Sequence, residues 1–310
     1  PDFYPLAANT PENWYGPYGY FAGGGPGPLS TIDRIDFSND TPTASPKGLL
    51  SVPKQTTTGT SSGLYGYYGD AALGLDRIDY SNDTATTEVK ATLSLARFSA
   101  AGVNNRYYGW FGGGFTASPT TWRTTVDRID FSNDTATAVA KGPLTVARGF
   151  FSAAGNANYG WFGGGRTPEV STVDRIDYSN DTATASPKGP LGAVRYANGA
   201  TGNANFGYFA GGSTSGTTFS NIYRVDYSND TATATTKGPL TAAKKYYSAT
   251  GNTSFGYFGG GNAVPIPTIV STIDRVDFSN DTATAVAKGP LSVARPQLGA
   301  MSASANGLHE

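Results

Sequence analysis

The sequence predicts an all-β fold, a single six-bladed β-propeller of four-stranded blades, on three observations. The phrase Asp-Arg-Ile-Asp-Phe-Ser-Asn-Asp at 33–40 returns with small changes from Asp76, Asp127, Asp174, Tyr223 and Asp274. Its arginines, Arg34, Arg77, Arg128, Arg175, Arg224 and Arg275, lie 43, 51, 47, 49 and 51 residues apart, a period that fits one blade and exceeds a solenoid coil. The 310 residues include 41 Gly, 19 Tyr and 16 Phe, a mixture suited to short strands and tight turns. No stretch holds a helical period, because Gly or Pro interrupts each Ala-rich segment.

Each element of a repeat can be justified in turn on the fourth copy. Phe150–Asn156 is a first strand of small residues, set where blades converge and bulk does not fit. Tyr159–Gly165 is a second, apolar strand ending in glycines. Thr172–Ser179 alternates as a third strand, and Asn180-Asp181 signals a hairpin. Thr182–Lys188 is the fourth strand, and Gly189–Arg195 crosses to the next blade.

The ends of the chain predict how the blades join. Tyr18–Gly25 already reads as a second strand, while Leu298–Asn306 reads as a first strand with no blade after it. Pairing the two closes a ring and removes two exposed sheet edges. The expected blades are 1–54 completed by 296–310, then 55–97, 98–148, 149–195, 196–245 and 246–295. The chain starts at Pro1 and its one methionine is Met301, so a processed chain or a piece of a longer one is expected.

Small residues after an Arg, an apolar strand ending in Gly-Gly and a strand with a spaced aromatic resemble the kelch repeat over nearly the whole chain. Thr and Ala stand where that family carries a Trp on the fourth strand.

The net charge of -1 and pI near 5.9 give no footprint for nucleic acid. No apolar run approaches the roughly 18 residues of a membrane span, and no secretory signal is visible. With no Cys there is no disulfide or thiol chemistry.

Features present in every repeat read as scaffold. The glycine runs Gly23–Gly25, Gly112–Gly114, Gly163–Gly165 and Gly259–Gly261 lack the Lys-Ser or Lys-Thr and helix of a phosphate cradle, so close approach or positive φ explains them. On the third strand Arg128 and Asp130 share one face, and Asp127, Ile129 and Phe131 the other. Both faces are covered, so these charges must be paired or reach the rim. The turn aspartates Asp40, Asp83, Asp134, Asp181, Asp230 and Asp281 offer too few oxygens per turn for calcium, and make the turn face uniform and rather acidic. Each Asn-Asp-Thr is also a formal glycosylation sequon, which a hairpin explains without sugar.

Aromatic doublets, from Tyr20/Phe21 through Trp110/Phe111 and Trp161/Phe162 to Tyr257/Phe258, place adjacent rings on opposite strand faces. Burying about 150–250 Å² per ring gives about 4–6 kcal/mol gross, which is core behaviour rather than sugar stacking. The one histidine is His309 and no metal-spaced cluster can be assembled. The reading expects no enzyme, no catalytic residues, no metal and no cofactor.

What differs between repeats is then where function is expected. The connections Pro26–Ser30, Asp70–Gly74, Phe115–Thr124, Arg166–Ser171, Ser213–Ser220 and Asn262–Ser271 vary most, and leave the same end as the crossovers. Phe115, Trp122, Arg123, Arg166, Phe219 and Ile266 are the candidate contact residues, because aromatics and Arg anchor interfaces.

The blade wording, such as YGYFGGG, STVDRIDYSNDTATA and KGPL, resembles kelch-like structural proteins of marine T4-like phages, especially cyanophages. That resemblance implies an extracellular virion component, tail- or fibre-associated, for assembly or host contact. Its partner would be another structural protein or a host-surface receptor or glycan, with no nucleic acid and no membrane insertion. The alternative expectation is a carbohydrate-binding lectin or cell-surface adhesin.

Overall fold

The computed structural model of the protein describes residues 16–55, 58–69 and 74–305. It is all-β and propeller-like, with six four-stranded antiparallel sheets among the described residues. The fourth sheet shows the common plan: Ser152–Gly155 inside, then Tyr159–Gly163, Val173–Asp177 and Ser186–Lys188. In the first sheet the inner place is taken by Gly299–Met301, which pairs antiparallel with Tyr18–Ala22. That strand also touches the inner strands Ser248–Gly251 and Thr58–Ser61 of the sheets on either side. No helix among the described residues is long and apolar enough to cross a membrane.

The aromatic doublets act as the sequence implies. Trp110 and Phe111 are both fully buried, as are Trp161 and Phe162. Trp110 shares a core cluster with Phe162 of the following sheet, Trp161 with Phe209, and Tyr257 with Phe21. The first ring of each doublet thus meets the second ring of the next. Glycine at the end of the second strand makes room: a Cβ on Gly163 would lie 2.6 Å from the Phe209 ring. The aromatics just after the third strands then stack from the neighbouring sheet, Tyr178 on Trp110 at 4.0 Å and Tyr227 on Trp161 at 3.8 Å. Burial holds the Tyr178 hydroxyl well above its ordinary range.

The turns differ from the two-residue hairpin that Asn180-Asp181 suggests. Tyr178–Asn180 is one turn of 3-10 helix, capped by Asp177, and the fourth strand resumes only at Ser186. Asp181 turns inward instead. It accepts from Arg128 Nη1 and from Trp110 Nε1 at 3.0 Å each, and Lys141 Nζ lies 3.2 Å away. The same link runs from Arg34 to Asp83, Arg77 to Asp134, Arg175 to Asp230, Arg224 to Asp281 and Arg275 to Asp40. The six turn aspartates therefore do not form the open acidic ring expected, because their side chains are only 7–10% exposed and each pairs with an arginine.

Candidate binding face

The second-to-third-strand connections and the crossovers share one end of the sheets. Gly165 N donates to Arg195 O and Leu191 N to Ser171 O. In five of the connections the two glycines at the start carry positive φ, as at Gly164 (79°) and Gly165 (132°). A side chain on Gly165 would meet Arg148 Cδ at 2.6 Å, so the glycine runs serve close packing and not a phosphate.

Among the described residues, five crossovers end on a buried cation and then turn sharply. Two residues after Arg97, Arg148, Arg195, Lys244 and Arg295 stand Ser99, Phe150, Ala197, Tyr246 and Gln297, all with φ between 55° and 59°. A non-glycine residue in this conformation costs about 1–2 kcal/mol. Backbone bonds between neighbouring sheets offset it: Phe150 N to Ser99 O, Ala197 N to Phe150 O, Tyr246 N to Ala197 O, and Gln297 N to Tyr246 O. The result is a collar of strained backbone around one mouth. Phe150 belongs to this collar and not to the inner strand, which begins at Ser152.

Rings crowd the collar. Phe115 and Trp122 pair across a hairpin with centroids 5.0 Å apart, and Phe98 lies 5.7 Å from Phe115. Phe150 is 5.8 Å from Phe115, 6.1 Å from Trp122 and 5.7 Å from Tyr246. Tyr196 follows at 6.4 Å from Tyr246, with the Arg166 guanidinium 5.0 Å over its ring. Lys245 Nζ stands 5.6 Å over Tyr246. All but Tyr196 of these rings are half-buried. Burial raises the Tyr246 hydroxyl above its ordinary value, Tyr196 adds to the rise, and Arg166 opposes it.

Beneath the rings is a cavity of about 70 Å³ bordered by Ser99, Phe150, Asn198, Tyr246 and Gln297. A second, of about 120 Å³, is lined by inner strands of all six sheets, with Thr60, Ser61, Ser152, Ser248 and Ser302 among its polar groups. Among the described residues no Asp, Glu, Lys, Arg or His lines either cavity. No group of three or more His, Asp or Glu gathers among the described residues.

The structure brings Phe115, Trp122 and Arg166 into this aromatic cluster and leaves the other candidates apart. Arg123 sits at the hairpin base, its N donating to Gly114 O. Phe219 covers Arg195 at 4.5 Å. Ile266, 44% exposed, tips a separate loop. Of the connection Asp70–Gly74, residues 70–73 lie outside the described residues. The sequence pattern does not single out Phe98, Phe150, Tyr196 or Tyr246, and it places Phe150 at the start of a first strand. The signal was there: Phe150-Phe151 and Tyr246-Tyr247 are aromatic doublets at a place where no other copy carries an aromatic.

One sheet breaks the charge rule. Five third strands bury a carboxylate against the crossover cation: Asp127 with Arg97 at 2.6 Å, Asp174 with Arg148 at 2.8 Å, Asp33 with Arg295 at 2.9 Å, Asp76 with Lys54 at 2.6 Å and Asp274 with Lys244 at 3.0 Å. In the fifth sheet that aspartate is Tyr223, and the Ser or Thr that bonds it in four others is Gly192. A Cβ on Gly192 would lie 2.4 Å from the Tyr223 ring, so the two changes belong together. Arg195 is 1% exposed and bonds only neutral acceptors: Gly211 O at 2.6 Å, Asn221 Oδ1 at 2.8 Å and Tyr223 Oη at 3.3 Å. Burial without a carboxylate pulls it below the ordinary guanidinium value.

No protein-family model matches the sequence, and no curated protein does. Among solved structures, that of YjhT is similar, with a TM-score of 0.68 over 88% of this chain and 98% of YjhT. Only 10% of residues are identical, so the likeness is one of fold.

Proposed function

We propose that the chain is a closed ring of six kelch-like blades and acts as a non-catalytic binding component that grips its partner on the loop face. One observation carries this reading: a half-exposed aromatic cluster sits on a collar of strained backbone. Rigid aromatic surface with few lost rotamers is what binding hot spots use. The cavity linings, hydroxyls and amides without a titratable acid–base pair, suit binding better than turnover. In this reading the protein is an extracellular virion part, tail- or fibre-associated, in host contact or assembly. The lectin or adhesin reading stands second, favoured by the same neutral polar lining beneath aromatic rings.

The test is attachment to host cells or to the adjoining particle protein. Trp122→Ala with Phe150→Ala is expected to weaken it at least about tenfold. Asn133→Ala with Asn180→Ala, exposed on the turn face, leaves it unchanged. Equal loss from both pairs rejects the loop-face assignment.

A further inference from the structure

We infer that the loop face recognises an acidic polysaccharide, its sugar rings on the aromatic cluster and its carboxylates near Arg166, Lys245 and the uncompensated Arg195. This rests on the loop-face reading above and adds the ligand's chemistry.

The argument begins with charge. On the turn face and in the buried networks, cations and carboxylates largely answer one another. The loop face is different. Arg123, Arg166, Arg195 and Lys245 have no carboxylate partner among the described residues, and Glu169 is the one acid among the described residues of the second-to-third-strand connections. Glu169 is itself occupied by Ser215, whose Oγ donates to it at 2.5 Å. The described residues of the loop face thus carry more positive than negative charge in a chain whose net charge is -1.

Arg195 strengthens that field from below. A buried guanidinium without a counter-ion is costly, and the other five sheets avoid it with an aspartate. The fifth replaces that aspartate by Tyr223 and adjusts Gly192 to fit, keeping the cation while discarding its neutraliser. In a low-dielectric surrounding such a charge acts over a longer range than in water.

The rings choose among anions. Nucleic acid also stacks on aromatics but requires a cationic track for successive phosphates, and this face carries only four unpaired cations. Hydroxyl and amide groups below the rings, such as Ser99, Asn198 and Gln297, match sugar hydroxyls.

The experiment measures binding of sodium polygalacturonate to the full chain, with dextran, poly-glutamate and single-stranded DNA as comparators. Polygalacturonate is expected to bind at least about tenfold tighter than each, and to weaken with salt. Arg166→Gln with Lys245→Gln should reduce affinity about tenfold without changing the melting temperature. Tyr223→Asp with Gly192→Ser gives the fifth sheet the pair found elsewhere; it should raise the melting temperature and lower polygalacturonate affinity about threefold. Arg195→Met is an independent arm with the same expected loss of affinity. Equal binding of dextran, of poly-glutamate or of DNA overturns the proposal. So does unchanged affinity in both Arg195-directed variants. If Trp122→Ala with Phe150→Ala abolishes cell attachment while polygalacturonate does not bind, the ligand class alone is wrong.

Discussion

Arg275 donates to Asp40 at 2.8 Å across 235 residues of sequence, the same contact that Arg128 makes to Asp181 across 53. The last sheet and the first are thus joined as neighbours elsewhere are. Tyr257 adds its hydroxyl to Asp40 at 3.0 Å, as Trp110 adds its indole N–H to Asp181.

That equivalence predicts equal energetics. Asp40→Ala and Asp181→Ala each leave a partly buried Arg and an aromatic donor unpaired, at a cost of about 3 kcal/mol. Urea unfolding of the two variants should agree to within about 1 kcal/mol. A much smaller cost at Asp40 would show that the first and last sheets meet loosely.

Deleting Gln297–Glu310 removes the strand Gly299–Met301 and bares the edge of Tyr18–Ala22. The shortened chain is expected to aggregate or lose its single cooperative transition in calorimetry. A truncated chain with the parent's melting curve contradicts the joining of the ends.

Asp40 also sets an acid limit. Its burial favours the neutral form, but hydrogen bonds from Lys288 and Tyr257 and the charge of Arg275 outweigh this and hold its carboxyl below the ordinary value. A folded pKa below the unfolded one gives stability that is complete above the ordinary carboxylate range. It is lost as pH falls through the folded value. Melting temperature should therefore be flat near neutrality and fall on acidification, and Asp40→Asn should flatten part of that fall. An identical acid profile in the variant would remove Asp40 from the account.

The fold was legible because repetition displays its own constraints. Six copies of one phrase expose the blade period, and adjacent aromatics must face opposite sides of a strand. What could not be read was where Asp181 points. Ser-Asn-Asp looks like a hairpin, yet Asp177 caps a 3-10 turn and frees Asp181 to reach the neighbouring sheet, a contact spanning 53 residues that no local pattern encodes. The collar escaped for a similar reason. Its left-handed conformation at Phe150 or Tyr246 is imposed by cross-sheet backbone bonds, and neither residue type favours it locally. The candidates taken from connections therefore supplied Phe115, Trp122 and Arg166, but not the crossover rings that complete the cluster.

Hydrogen–deuterium exchange of the full chain, alone and with saturating sodium polygalacturonate, tests the loop-face claim most directly. Protection is expected at the backbone N–H groups of the collar, around 98–100, 149–151, 196–198 and 245–247, and in the hairpin Phe115–Trp122. Protection confined to the Ser-Asn-Asp turns, with the collar unchanged, would put the site on the opposite face and contradict the account.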